Sequence, residues 1–154
     1  MHEFLERLFG AIGGTASVLI LPHNSPDPDA IASAVALRHL LEERLGVESE
    51  IAYTGIIGRA ENRALVHSLG RPLRPLTDSD LSRPVPIALV DTQPGTGNIT
   101  LPPQSSLAIV IDHHIWREET ATASFADVRP ELGATSTILS EYLTVTGVEP
   151  PAAL

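Results

Sequence analysis

Three runs made only of apolar residues, 18–21 (VLIL), 87–90 (IALV) and 107–111 (LAIVI), stand out from a chain otherwise mixed in polarity. Their shortness and β-branched content predict strands buried on both faces, as in a parallel sheet. Between the first and second runs, Ala30, Ala34, Leu37, Leu41 and Leu45 recur at three- and four-residue intervals, with Glu42 and Glu43 off that stripe. This predicts a helix over 29–45, closed by Gly46 and followed by a strand over 48–53. Residues 60–69 (AENRALVHSL) predict a further helix closing at Gly70, 122–128 an edge strand, and 133–144 a last helix opened by the small-residue turn ATST. At the start of the chain, Phe4, Leu5, Leu8 and Phe9 fall on one side of a short helix ended by Gly13-Gly14. Pro72, Pro75, Pro84 and Pro86 predict a connection without regular helix. Strands alternating with helices make the fold class α/β with a mainly parallel sheet.

A length of 154 residues with no internal repeat or linker reads as one domain over 1–154. A hydrophobic share of 43% against 19% charged residues excludes disorder and coiled coils. The absence of cysteine excludes disulfides, thiolate zinc sites, iron–sulfur clusters and cysteine nucleophiles. A formal charge of -9 without any basic run argues against gripping a long nucleic-acid duplex, but leaves short anionic substrates if metal ions neutralise them. No stretch approaches the roughly 20 apolar residues of a membrane span. The first residues carry Glu3 and Glu6 and lack the basic start of a signal peptide, so the expected location is the cytoplasm.

Each apolar run leads directly into acidic or histidine residues: LILPHNSPDPDA, IALVDTQPGTGN and LAIVIDHHI. The carboxyl ends of parallel strands lie along one edge, where open α/β sheets place their ligand crevice. His23, Asp27, Asp29, Asp91, Asp112, His113 and His114 are therefore expected to converge. Carboxylates gathered at one rim repel one another unless cations bind, and oxygen ligands mixed with imidazole suit Mn²⁺, Mg²⁺, Fe²⁺ or Co²⁺. Two such ions about 3.5–4 Å apart polarise phosphoryl oxygens and activate water. Taken singly, each feature has a plainer explanation: PDPD as a turn, an aspartate after a strand as a helix cap, paired histidines as a solvated loop. Three of them at the ends of three parallel strands fit a site better.

These motifs resemble the DHH phosphoesterase superfamily, whose Asp-His-His is matched by Asp112-His113-His114. HNSPDPDAIASA matches its first motif through His23, Asp27 and Asp29; VDTQPG matches the second through Asp91, and GATSTILSEYL is similar to the turn and helix after the third. GRAENRALVHSLGRPLRPL is most similar to the branch of nanoRNases and pAp phosphatases (exopolyphosphatase-related proteins), which act on very short oligonucleotides and 3′-phosphoadenosine 5′-phosphate. The resemblance implies a three-layer α/β/α domain and a hydrolase using two Mn²⁺ ions, with Mg²⁺ or Co²⁺ as substitutes. It assigns His23 and Asp27 to one ion, Asp29 and His113 to the other, and Asp91 to both. Asp112 would orient an imidazole, and His114 would face the substrate phosphate.

Other residues have two readings each. Arg59 and Arg63, flanking Asn62, could clamp a substrate phosphate or form a solvated helix face. PGTGN at 94–98 resembles a phosphate-cradling loop, yet it lacks G-x-G-x-x-G and the P-loop lysine, and fits a tight turn. Asn24 and Ser25 could bond near the metals or shape their turn, and Trp116 could stack a base or join a core. His2, His39 and His67 read as surface or packing residues.

A fourth motif of this superfamily, carrying one more aspartate, and a smaller C-terminal substrate domain have no match here; Asp127 and Glu141 lack the motif's context. Pro150-Pro151 with Ala152, Ala153 and Leu154 looks like the start of another helix, so the chain is expected to be a fragment. It is expected to fold and bind at least one divalent ion, with low or no turnover, and exposed apolar surface could make it dimerise. Two alternatives are a manganese-dependent inorganic pyrophosphatase, which shares the motifs, and a non-catalytic module sensing nucleotides or metals.

Overall fold

The computed structural model describes residues 2–103, 105–152 and 154, and of His2 the backbone alone. The elements run α1 (His2–Gly10), β1 (Ser17–Pro22), α2 (Pro28–Leu45), β2 (Glu48–Tyr53), α3 (Ala60–Ser68), β3 (Leu73–Pro75), α4 (Asp78–Ser82), β4 (Pro86–Val90), β5 (Ser106–Asp112), a 3-10 turn (Glu118–Thr122), β6 (Phe125–Val128) and α5 (Thr135–Thr146). The six strands form one sheet in the order β3-β2-β1-β4-β5-β6, every neighbouring pair parallel. From β1 the chain winds towards one edge and from β4 towards the other. The β1–β4 boundary is thus the point where a doubly wound sheet opens a crevice at its carboxyl edge.

Alternation within the strands divides the core. Val18, Ile20, Ile51, Ala88, Val90, Ile109 and Ile111 face a layer built from α1, α2 and α5, with Leu65 and Val66 of α3 and the following Leu69 packed against it. Leu19, Leu21, Ala52, Ile87, Leu89 and Val110 face the other way, under Leu76, Val85, Ile99 and Leu101 of the long connections. The helix α2 is buried beyond its predicted stripe, at Ile31, Val35, Ala36 and Leu40, because α5 lies on it as well as the sheet; Leu45 is exposed.

The proline-studded connection is more regular than expected, for it contains β3 and α4. Between Pro75 and Pro84 no proline intervenes, and the Thr77 hydroxyl and Asp80 carboxylate form a reciprocal capping box that starts the helix. The last helix starts at Thr135 rather than 133, α1 ends at Gly10 ahead of the Gly13-Gly14 pair, and a 3-10 turn occupies the beginning of the expected edge strand. Pro151, Ala152 and Leu154 form no helix; Ala153 lies outside the described residues. Among the described residues, no helix is long and apolar enough to cross a membrane.

Asp80, 2% exposed, accepts two bonds from Arg74, at 2.7 and 2.9 Å, and Arg74 also pairs with Glu50 of β2. The Arg74 guanidinium holds the Asp80 carboxyl well below the usual carboxylate range, and Arg74 with Arg83 lowers Glu50. Because both folded values lie below the unfolded ones, this stabilisation is full above the ordinary carboxylate pKa and is lost as pH falls through the folded values. Arg74→Ala should destabilise the fold by about 3 kcal/mol at neutral pH, by stranding a buried carboxylate. Urea denaturation at pH 7 and pH 3 checks this: the gap between variant and parent should narrow in acid.

Candidate metal centre

All three chemistry-bearing segments leave the carboxyl edge of the sheet at or beside the β1–β4 boundary. His23 follows β1, Asp91 follows β4, and Asp112 ends β5 ahead of His113 and His114. Their loops are tied together by backbone bonds: Asn24 N–H donates to Asn98 O at 2.6 Å, Ser25 N–H to Thr54 O at 2.7 Å, and Asp91 N–H to Ile111 O at 3.0 Å. Ser25 (φ 55°) and Asp91 (φ 58°) hold left-handed backbone, a strain of order 1–3 kcal/mol each that the surrounding bonds must maintain.

Gly55 (φ 87°) makes one of these ties possible. A Cβ there would stand 2.3 Å from Ser25 Oγ and 2.9 Å from Ser25 N. Gly55→Ala should destabilise the fold by about 2 kcal/mol and displace the turn carrying His23 and Asp27. Thermal melts and Mn²⁺ titration check it; a variant equal to the parent in both would contradict the tie.

Asp91 is the centre of the arrangement. It is 2% exposed, and its two oxygens face different histidines: Oδ2 lies 3.6 Å from His23 Nε2, and Oδ1 lies 3.4 Å from His113 Nε2. Asp27 Oδ1 lies 3.8 Å from His23 Nε2, and Asp29 Oδ2 lies 3.9 Å from His113 Nε2. These separations are too long for hydrogen bonds. Two atoms ligating one ion at about 2.1 Å, with an angle of 90–120° between them, stand about 3.0–3.6 Å apart; the two separations at Asp91 fit a shared cation, and those at Asp27 and Asp29 lie 0.2–0.3 Å beyond that range.

The second nitrogen of each imidazole is committed elsewhere. His23 Nδ1–H donates to Asn24 O at 2.9 Å and His113 Nδ1–H to Leu132 O at 3.2 Å, which fixes the tautomer and presents Nε2 to the carboxylates. Metal-binding histidines are commonly held in this way. His23, Asp27 and Asp91 form one group that could hold an ion; Asp91, His113 and His114 form another.

Two of the carboxylates also organise helices. Asp27 is the N-cap of α2, accepting from Ala30 N–H at 3.0 Å. Asp29 caps α5, accepting from Thr135 N–H at 2.8 Å and Ser136 N–H at 2.9 Å, and Thr135 Oγ1 donates to Asp91 Oδ1 at 2.9 Å. Burial, then the nearby charge of Asp29, pushes the Asp91 carboxyl above its ordinary value. Among the described residues no arginine pairs with Asp27, Asp29, Asp91 or Asp112, so cations are what this rim lacks.

Asp112, fully buried, accepts from His114 Nδ1–H at 2.8 Å through Oδ1 and from Gln93 Nε2 at 2.7 Å through Oδ2. Burial lowers the His114 pKa, but the bond to Asp112 and the charges of Asp112, Asp91 and Asp29 outweigh it and leave a net rise. Gln93 is a site residue that the sequence did not reveal. Its amide also donates to Ile115 O at 3.0 Å, and its Oε1 accepts from Arg117 N–H at 2.9 Å and Thr120 Oγ1 at 2.8 Å. Nothing in the local pattern separates this buried glutamine from an ordinary turn residue.

Other expected residues stand apart from the cluster. Arg59 is exposed, Arg63 donates to Gly58 O at 2.5 Å, and Asn62 is buried with Oδ1 lacking a partner among the described residues. None of the three bonds to a residue of the cluster. Asn24 and Ser25 shape the first loop, and Trp116 is 48% exposed beyond His114. Asp127 is held by Arg129 and the Tyr142 hydroxyl, and Glu141 also pairs with Arg129. His39 bonds Glu149 O at 2.8 Å, His67 is exposed, and the His2 side chain lies outside the described residues.

Comparison with known proteins identifies the family. Residues 17–152 match the sequence profile of the DHH family, N-terminal domain. The uncharacterized protein MJ1633 of Methanocaldococcus jannaschii is 48% identical over 136 residues, 88% of this chain and 27% of that protein. A probable manganese-dependent inorganic pyrophosphatase of Enterococcus faecalis is 30% identical over 138 residues, 89% of this chain and 44% of that protein. The crystal structure of an exopolyphosphatase-related protein from Bacteroides fragilis shares the fold, with a TM-score of 0.64 at 16% identity over 96% of this chain and 45% of that one. The chain thus spans less than half the length of each of these proteins. With its strand-end Asp, His and Asp-His-His residues gathered around Asp91, the chain belongs to the DHH family, whose N-terminal domain it matches.

Proposed function

We propose that this chain is the metal-binding domain of a phosphohydrolase that cleaves phosphate esters of short oligonucleotides or nucleotides such as pAp with two Mn²⁺ ions. The observation that carries the reading is Asp91, whose two oxygens face different histidines, Oδ2 towards His23 Nε2 and Oδ1 towards His113 Nε2. His23 and Asp27 would hold one ion, Asp29 and His113 the other, and Asp91 both. The chemistry that two divalent ions supply here is polarisation of phosphoryl oxygen, compensation of developing negative charge and activation of water. Asp112 holds a His114 proton on Nδ1 and its charge favours the imidazolium, whose Nε2–H, directed away from Asp112, could donate to a phosphate oxygen. The amino end of α2, capped by Asp27, adds favourable potential for an anion at the same rim.

A second substrate, inorganic pyrophosphate, is favoured by the 30% identity to the probable pyrophosphatase of Enterococcus faecalis. The test compares a 5′-labelled dinucleotide, pAp and pyrophosphate with Mn²⁺ and with chelator, for the parent chain and Asp91→Asn. Low but metal-dependent release of mononucleotide or phosphate, lost in the variant, is the expected result. Release from pyrophosphate alone would select the second substrate. No uptake of Mn²⁺ at millimolar concentration would contradict the metal centre, and release that persists in chelator or in Asp91→Asn would contradict the hydrolase reading.

A further inference from the structure

We propose that the cavity beside His114 is a subsite for a second phosphoryl group of the substrate, the one that is not attacked. The inference rests on the phosphohydrolase reading and gives a place in this chain to the phosphoryl group that pAp, pyrophosphate and a 5′-phosphorylated dinucleotide each carry besides the one attacked. The cavity, about 310 Å³, is lined by Thr92, Thr96, Asn98, His114, Ile115 and Arg117, and no carboxylate lines it. His114 belongs both to this wall and to the Asp91–His113 group, so the cavity opens next to the metal centre.

The hydrogen-bond accounting of its walls selects an anion. The Thr92 hydroxyl donates to Asn98 Oδ1 at 2.7 Å, and the Thr96 hydroxyl lies against Gln93 O at 2.8 Å and against the same Asn98 oxygen. With Asn98 Oδ1 occupied by hydroxyl donors, the amide that Asn98 can offer is Nδ2–H. His114, with Nδ1 committed to Asp112, closes the wall on the metal side and is not counted among the donors. The Arg117 side chain forms no ion pair or hydrogen bond among the described residues, whereas Arg74, Arg83 and Arg129 each neutralise carboxylates elsewhere. Its backbone is pinned by Gln93 at 2.9 Å, so the guanidinium springs from a fixed point in the wall. An arginine without a carboxylate partner, in a chain of charge -9, beside an amide donor and an imidazole, is suited to the fork geometry of a phosphate.

Two kinds of molecule carry a second phosphoryl group: diphosphates, with one bridging atom, and nucleotides bearing a further phosphate several bonds away. Calorimetric titration of the Mn²⁺-loaded chain with methylphosphonate, methylenediphosphonate and propane-1,3-diphosphonate distinguishes them without hydrolysis. The parent is expected to bind at least one diphosphonate about tenfold or more tighter than methylphosphonate, the contribution of a charge-assisted bond. The short linker being preferred indicates a diphosphate, the long one a nucleotide with a spaced phosphate. Arg117→Gln should remove the preference while leaving Mn²⁺ and methylphosphonate affinity in place, and Arg117→Lys should restore part of it. A preference unchanged in Arg117→Gln, or no preference in a parent that binds methylphosphonate through Mn²⁺, would overturn the subsite alone. Methylphosphonate binding that ignores Mn²⁺ would overturn the metal-centre reading beneath it.

Discussion

Asp91→Asn should lower Mn²⁺ affinity by more than the roughly 10- to 100-fold that follows loss of an outer partner of a metal site, because in the proposed two-ion arrangement both ions would lose a ligand at once. The same substitution should raise the thermal stability of the metal-free chain. Asp91 is buried among acidic neighbours, with Asp29 the largest charge acting on it, and its carboxyl is pushed up by burial. A group whose folded pKa is raised contributes stability below its unfolded pKa and loses it as pH rises through the folded value. The neutral amide keeps an oxygen for Thr135 and has no charge to desolvate. The advantage of the variant over the parent is therefore expected to be small in acid and to grow as pH rises through the folded value of Asp91. Each kcal/mol should appear as a rise of about 2–4 °C in Tm. Added Mn²⁺ should reverse the order, stabilising only the parent. A variant that is less stable than the parent without metal would show that Asp91 serves the fold rather than a cation.

Gln93→Leu should destabilise the chain by about 3–4 kcal/mol, since it strands buried partners on two sides. Asp112 and Thr120 are both fully buried, and each loses a hydrogen bond with the amide, as do Ile115 O and Arg117 N–H. Beyond stability, Asp112 would be free to turn away from His114. The hydrolysis rate at saturating Mn²⁺ should then fall about 10- to 100-fold in molecules that remain folded. Denaturant titration and activity measured on the same preparation separate the two effects. A loss below about 0.5 kcal/mol, the usual scatter of surface changes, would contradict the role given to Gln93.

The strands that form the crevice were readable from the chain because they are buried on both faces and must be apolar throughout. Their chemistry was readable because each ends in residues that no core would accept. What could not be read depends on contacts far apart along the chain. Asp29 caps a helix that begins at Thr135, and Thr135 reaches back to Asp91; no local period reports such pairs. Gln93 hides in a turn, and only its four partners, at 112–120, reveal that it is buried. The short β3 and α4 escaped because prolines suppress the expectation of regular structure, although Thr77 and Asp80 suffice to start a helix between them. Extra burial on α2 followed from α5 packing over it, a tertiary fact that adds a second apolar face to the predicted one.

The most direct test of the account is an anomalous difference map at the manganese edge, from crystals of the chain grown with Mn²⁺. The account predicts two peaks flanking Asp91, one touching His23 and Asp27, the other touching Asp29 and His113. Peaks elsewhere on the surface, or none around an ordered Asp91, would contradict it.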